Sequence, residues 1–276
     1  MRLLIHHRTG YRFSEPQKRL VQLLRVTPLS CYGQNVADWQ IDVDCDARLK
    51  SGRDGFGNEA TMLYVDGPIE AIDVTVRGEV LTENRAGMVA GAIEPLPPQL
   101  YLRPSALTRP DEPITDFATT IAATQDSALS TLHALMGALH ERIAFDPSSA
   151  EIGRGAGQAF AEERGVCQDH AHAMIAAARV LGHPARYVSG HIWRPDAPDE
   201  DQPATHAWAE VWLADYGWIA FDPANDHCPD DGYVRVAIGL DYRDAAPLSG
   251  ARIGGGAERL TVAVRVERLD GPAPQR

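Results

Sequence analysis

Proline sets the first boundary in this chain. Residues 94–113 read EPLPPQLYLRPSALTRPDEP and carry six prolines. Proline has no N–H to give a β-ladder and clashes inside a helix, so neither regular element runs through such a stretch. It is expected to be an extended linker. Before it, residues 1–93 alternate apolar and polar side chains, as half-buried strands do. In WQIDVDC, Ile41, Val43 and Cys45 fall on one side and Asp42, Asp44 and Asp46 on the other, which predicts a buried, inert Cys45. IDVTVRGEV alternates in the same way, and RDGFGNEA supplies Gly55, Gly57 and Asn58 for a turn. Short strands joined by such turns imply an antiparallel sandwich or barrel.

Beyond the prolines the period changes. Leu129, Leu132, Leu135, Met136, Leu139 and Ile143 recur at helical spacing. Residues 145–164 are rich in Gly and Ser and read mostly as a loop. A second helix is predicted from Cys167 to about Leu181, with Ala171, Met174, Ala178 and Leu181 as its stripe and Gly182 and Pro184 as its stop. ARYVSGHIW, THAWAEVWL and WIAFDP read as strands, and so do YVRVAIGLDY and ERLTVAVRVERL further on. The expected organisation is a β-domain at 1–93, a linker at 94–113, an α+β core at 114–228, and strands at 229–276 that complete the sheets.

The 276 residues suit two domains, and a hydrophobic content of 44% suits a packed core. No apolar run approaches the roughly 20 residues of a membrane helix. The start, MRLLIHHRTGYRF, places two histidines after three apolar residues, so no secretory signal is read there and the expected location is the cytoplasm. A net charge of −12 repels phosphate backbones and argues against a nucleic-acid partner. The four cysteines show no CxxC spacing and are expected to be free thiols.

Chemistry concentrates in two segments. In RGVCQDHAHA, Cys167 falls in the first turn of the predicted helix, just after Gly165. Helix-end N–H groups there lack partners and favour an anion, either a thiolate or a developing oxyanion. A lone cysteine at a helix end is ordinarily a small packed hydrophobe, so a second signal is needed. THAWAEVWLADYGWIAFDPAN provides one. On its first strand His206, Trp208, Glu210 and Trp212 share a face. If the chain turns at Asp215–Gly217 and Leu213 pairs with Gly217, Asp222 lies opposite Trp208 and diagonal to His206 on that face. A one-residue slip would put Asp222 on the wrong face, so the loop length matters. Alone, His206 is a strand-surface histidine and Asp222 a turn-starter before Pro223. Together with Cys167 they are the parts of a nucleophile, base and orienter set.

GVCQDHAH, ARYVSGH, HAWAEVW and FDPAN, in that order, resemble the transglutaminase-like superfamily in its bacterial form. The resemblance runs from about residue 130 to 247, and DGFGN at 54–58 with the β-rich start resembles that form's N-terminal domain. It implies a papain-like α+β core, with a Cys-bearing helix packed on an antiparallel sheet that carries His and Asp. It also implies catalytic roles for Cys167, His206 and Asp222, with Gln168, His191 and Trp208 as substrate-cleft candidates. His191, in GHIW, departs from the aromatic residue expected after that glycine. Animal members use calcium, but DVDCDARLKSGRD has Ala47 where a calcium loop needs Gly and Arg53 where it needs Glu. No metal and no cofactor are therefore expected.

The implied activity is acyl transfer through a thioester at Cys167, with hydrolysis of peptide or isopeptide-type amides ahead of transfer to an amine. The partner would be a peptide or protein amide substrate. Two rivals stand beside it. A zinc site could recruit Cys167, His170, His172, His191, His206 or His227, but no paired-ligand spacing is clean. A silent core could also serve a β-domain that binds, although no triad position is broken.

Overall fold

The computed structural model describes residues 1–151, 153–198 and 200–269. The N-terminal part is built on two long strands, β1 (Arg2–Thr27) and β4 (Glu59–Thr82), joined antiparallel from Arg2↔Leu81 to Thr27↔Glu59. Between them in sequence lie β2 (Gln34–Val43) and β3 (Arg48–Arg53), which pair with the two halves of β4. Register shifts between Arg12 and Arg19 break the long pair in the middle. The two halves then bury Tyr11, Leu20, Leu24, Leu63, Val65, Val74 and Val76 in one shared cluster. The expected sandwich or barrel is thus one antiparallel sheet bent over its own core.

The α+β core follows. After the short strand β5 (Met88–Val89) come α1 (Glu112–Ala122) and α2 (Ala128–Arg142). Asp111 accepts from the Ile114 N–H at the start of α1, and Ser127 caps α2 through Ser130. A two-residue parallel pair, β6 (Ala144–Phe145) with β7 (Arg164–Gly165), brackets α3 (Ala156–Glu162) and leads into α4 (Cys167–Val180). The strands β8 (Ala185–Ile192), β9 (His206–Leu213), β10 (Gly217–Phe221) and β11 (Tyr233–Gly239) form an antiparallel sheet in the order β11-β8-β9-β10-β5. A short α5 (Tyr242–Ala245) precedes β12 (Leu248–Ile253) and β13 (Glu258–Arg268), which return to pair with β1. Among the described residues no helix is long and apolar enough to cross a membrane.

Residues 145–164, read mostly as a loop, also hold the short helix α3. One sequence expectation changes here. The proline-rich stretch is irregular, as proline requires, but it is no free linker. Pro98–Leu102 forms a 3-10 turn, and Tyr101, Leu107 and Thr108 are buried. Buried Arg179 of α4 donates to the Tyr101 carbonyl at 2.7 Å and the Thr108 hydroxyl at 2.6 Å. The prolines keep ladders and longer helices out of the stretch while leaving carbonyls and apolar side chains free to pack.

The bent sheet and the core share an interior. Leu3, Ile5, Val80, Val264 and Val266 pack in the same cluster as Met174, Val211 and Val234. At this junction His7 and His191 meet edge-to-face at 5.6 Å, with Trp39 6.3 Å from His191. Burial, with His6 adding, lowers His7 to about 4; burial, with His7 adding, lowers His191 to about 3. Burial also lowers His172 to about 4, a shift that Asp241 opposes and Arg179 assists. In the unfolded chain each titrates near 6.5. As pH falls from 6.5 towards 4 the unfolded chain therefore takes up protons that the folded chain refuses. Stability should fall by up to about 1.4 kcal/mol per pH unit for each histidine. The urea midpoint is expected to drop between pH 7 and pH 5, with a shallower slope in His191→Gln. Equal midpoints at both pH values would contradict this account.

Candidate active site

The nucleophile candidate sits where α4 begins. Cys167 is the first helical residue and Val166 the N-cap, in extended conformation at φ −108°. Val166 has no polar side chain, so the cap comes from three residues on: Asp169 Oδ2 accepts the Val166 N–H at 2.9 Å. Gly165 makes room, since a Cβ there would lie 2.7 Å from the Asp169 Cβ. Arg154, only 2% exposed, donates to both Asp169 oxygens at 2.9 and 3.3 Å and also to Glu162. This buried pair fixes the first turn. The hydrogen bonds to the Val166 carbonyl come from Asp169 and His170. The N–H groups of Cys167 and Gln168 precede them at the positive end of the helix.

The second half of the site comes from a hairpin. The Tyr216 N–H bonds the Leu213 carbonyl at 3.1 Å, and Gly217 follows at φ +78°. A tight turn followed by a left-handed glycine gives a three-residue hairpin loop and fixes its register. Leu213 pairs with Gly217 and Ala209 with Phe221, which puts Asp222 beside the His206 end of β9. His206 Nε2 donates to Asp222 Oδ2 at 2.6 Å. Because Nε2 is engaged, Nδ1 is the nitrogen left for Cys167, which lies near enough to raise the His206 pKa.

The electrostatics follow from burial. Asp222 is fully buried, which alone would raise its pKa. The charge of His206 and the donors His206, Tyr233 and Asn225 outweigh that and hold it below the ordinary carboxylate range. Its Oδ2 also receives the Tyr233 O–H and the Asn225 Nδ2–H, each at 2.7 Å, while the Ala224 N–H reaches Oδ1 at 3.0 Å. For His206 burial opposes the charged form, but Asp222 and then Cys167 more than compensate and hold the imidazolium well above the ordinary histidine range. The set can thus hold an imidazolium at His206 beside Cys167. From α2, His140 Nδ1 lies 3.0 Å from the Pro223 carbonyl and docks the turn that carries Asp222.

The structure brings Cys167, His206 and Asp222 together and places half-buried Gln168 next to Cys167 on the first turn of α4. It separates the other two cleft candidates. His191 is 2% exposed and faces the N-terminal sheet, because the alternation of β8 points it towards His7 and Trp39. Trp208 is also 2% exposed; it backs His206 at 6.2 Å and belongs to a cluster with Tyr101, Val188 and Trp218. Cys45 is exposed where it was expected to be buried, because the chain bends after Val43 and the alternation stops. The histidines near Cys167 are engaged separately. His170 reaches the Val166 and Ile143 carbonyls, and His172 Nε2 accepts from the Tyr242 N–H. Among the described residues no group of three or more His, Cys, Asp or Glu is placed to hold a metal ion.

Four residues were missed from sequence. Asp169 carried a signal, an acidic side chain three positions after the N-cap. Asn225 lies inside FDPAN but was given no role. Arg154 and Tyr233 reach the site from separate segments and carried no local sign. For Asp222→Asn the amide can no longer select the Nε2–H tautomer, so turnover on an amide substrate should fall by roughly 10²–10⁴-fold with the fold retained. Turnover close to the parent's, alongside an unchanged unfolding transition, would remove Asp222 from the orienting role.

Comparison with known proteins is consistent with this architecture. Residues 115–223 match the transglutaminase-like superfamily, and residues 3–81 match the bacterial transglutaminase-like N-terminal region. An uncharacterised protein of Mycobacterium tuberculosis is 28% identical over 275 residues, covering 90% of this chain and 87% of that one. An uncharacterised protein of Mycobacterium leprae is 28% identical over 97% of this chain and 99% of its own. A protein-glutamine gamma-glutamyltransferase of Pseudomonas aeruginosa is 32% identical over 105 residues, 35% of this chain and 16% of that protein. A solved structure from Cytophaga hutchinsonii, described as a candidate cysteine protease, superposes with a TM-score of 0.80 at 22% identity, covering 99% of this chain and 92% of that one. With both regions matched in order on the folded chain, the protein belongs to the transglutaminase-like superfamily, in the bacterial form that carries its own N-terminal β-region.

Proposed function

We propose that the chain is a cysteine-dependent enzyme that cleaves amide bonds by acyl transfer, with Cys167 as nucleophile, His206 as acid and base, and Asp222 as orienter. One observation carries the reading: the cysteine at the N-terminus of α4 lies beside a histidine, close enough to act on its charge, and that histidine's Nε2 is locked on a buried carboxylate at 2.6 Å. The Cys167 thiolate attacks the acyl carbon, and the carbonyl pair moves onto oxygen. The N–H groups at the start of α4 face the resulting oxyanion. The His206 imidazolium gives its proton to the leaving amine, which departs and leaves a thioester. Neutral His206 then takes a proton from water, the hydroxide adds to the thioester, and the intermediate collapses to release the carboxylic acid and expel the Cys167 thiolate, which restores the starting thiolate and imidazolium.

The substrate class proposed is a peptide or isopeptide-type amide, with water as acceptor. Transfer to an amine is the second reading, supported by the local similarity to the Pseudomonas protein named for that transfer. The N-terminus of α4 and the three contacting side chains serve both reactions, so the acceptor is read from products. A peptide library with and without a primary amine would distinguish them: free acids indicate hydrolysis, amine-bearing products transfer.

The four thiols offer a direct test. Burial pushes Cys228 up to about 11. Burial also raises Cys31, with Glu210 adding and Arg235 opposing. Cys45 is raised by partial desolvation and by the neighbouring charges of Asp44 and Asp46. A high pKa means little thiolate, so these three should react slowly near neutrality. Substoichiometric iodoacetamide at pH 6 is expected to label Cys167 first and abolish activity, and His206→Ala should slow that labelling. Peptide mapping that finds another thiol modified ahead of Cys167 in folded protein would overturn the assignment.

A further inference from the structure

The constellation contains a group that neither the sequence motifs nor the proposed chemistry uses. Tyr233 opens β11, on the far side of β8 from β9, where it pairs with Ile192. It is 6% exposed. Its ring stands edge-to-face with His206 at 5.9 Å and with Trp208 at 5.4 Å. Its hydroxyl donates at 2.7 Å to Asp222 Oδ2, the same oxygen that receives the His206 Nε2–H.

We propose that Tyr233 is a positioning residue: its O–H fixes the Asp222 carboxylate and, through it, the tautomer and tilt of His206 towards Cys167. The inference rests on the assignment of these three residues to the reaction. A carboxylate held only by an imidazole can rotate about χ2 and present either oxygen. Here Oδ1 is held by the Ala224 N–H and Oδ2 by donors from two further directions. Of those two donors Asn225 is exposed and open to exchange with water, whereas Tyr233 is enclosed. The alternative acceptor for the phenol, His227 Nε2, lies at 3.4 Å and is the weaker partner. Burial, reinforced by the adjacent Asp222 charge, keeps the phenol protonated, so it remains a donor throughout the working pH range. Because Tyr233 is buried behind His206, it acts through Asp222 without touching substrate.

The effect has a sign. The Tyr233 hydrogen bond is one of the contacts that hold Asp222 ionised. Removing it raises the pH at which the carboxylate picks up a proton and releases His206. Tyr233→Phe keeps the ring and removes only the hydroxyl. In the full-length protein this variant should move the acid limb of the pH–rate profile for Cys167 alkylation to higher pH. It should also lower turnover at pH 7 by roughly tenfold, the scale of a charge-assisted hydrogen bond, and leave KM within about twofold. In an Asp222→Asn background the same change should add almost nothing, because the group through which it acts is gone. A structural role would instead lower activity in both backgrounds with an unmoved acid limb. Should Tyr233→Phe fold poorly, 3-fluorotyrosine at position 233 keeps the shape and strengthens the donor, and the acid limb should then move to lower pH. An unmoved limb in the folded variant, or full additivity with Asp222→Asn, overturns the inference and leaves the Cys167 reading intact. Labelling of a thiol other than Cys167 first in the parent protein overturns both.

Discussion

The site depends on how closely α4 can lie against the sheet. Helix α4 buries Ala171, Ala173, Ala176, Ala177 and Ala178, while Ala185, Ala207 and Ala209 are buried in β8 and β9 within the same cluster. Small side chains let a helix approach a sheet at short range, and larger ones would lift it away and force strain elsewhere. The distance from the first turn of α4 to the His206 end of β9 is set by this seam. Cys167 and His206 come from separate elements, and packing has to bring them into contact before any electrostatic tuning can act.

Around the seam, buried charges are matched rather than avoided. Arg154 and Asp169 fix the start of α4. Fully buried Glu210 takes Arg186 at 2.6 Å and Arg235 at 2.7 Å, and Arg186 also reaches Glu94 and covers the Trp218 ring at 3.7 Å. Breaking such a pair strands a charge, which is strongly destabilising. The network ties β8, β9 and β11 to the proline-rich stretch through Glu94, so that stretch belongs to the scaffold of the site. The bent N-terminal sheet contributes in the same way, covering the junction where His191 is buried against His7 and Trp39.

Much of the site was legible because its parts are local. The helix start at Cys167 shows in glycine, cysteine and an apolar stripe, and the His206–Asp222 relation follows from counting along one hairpin. The confirming detail, a left-handed Gly217 after a tight turn, is itself a sequence-readable device. The errors had a common cause. Alternation places a residue on a face without saying what covers that face. His191 and Trp208 were expected at an open cleft and are instead covered, one by the N-terminal sheet and the other by Tyr101 and Tyr233. Cys45 failed in the opposite direction, since its strand ends before it.

The sequence by itself determined the elements and the register that carries Asp222 to His206, because strand period, helix period and turn chemistry act over a few residues. It also determined that no ladder and no long helix spans residues 94–113. Only the tertiary structure decided which long-range partners complete the site. Arg154 comes 15 positions before Asp169, in the loop ahead of α3, and Tyr233 comes 11 after Asp222, at the start of β11. Their contacts exist because buried polar groups must find partners wherever packing places them, and no local pattern encodes that address.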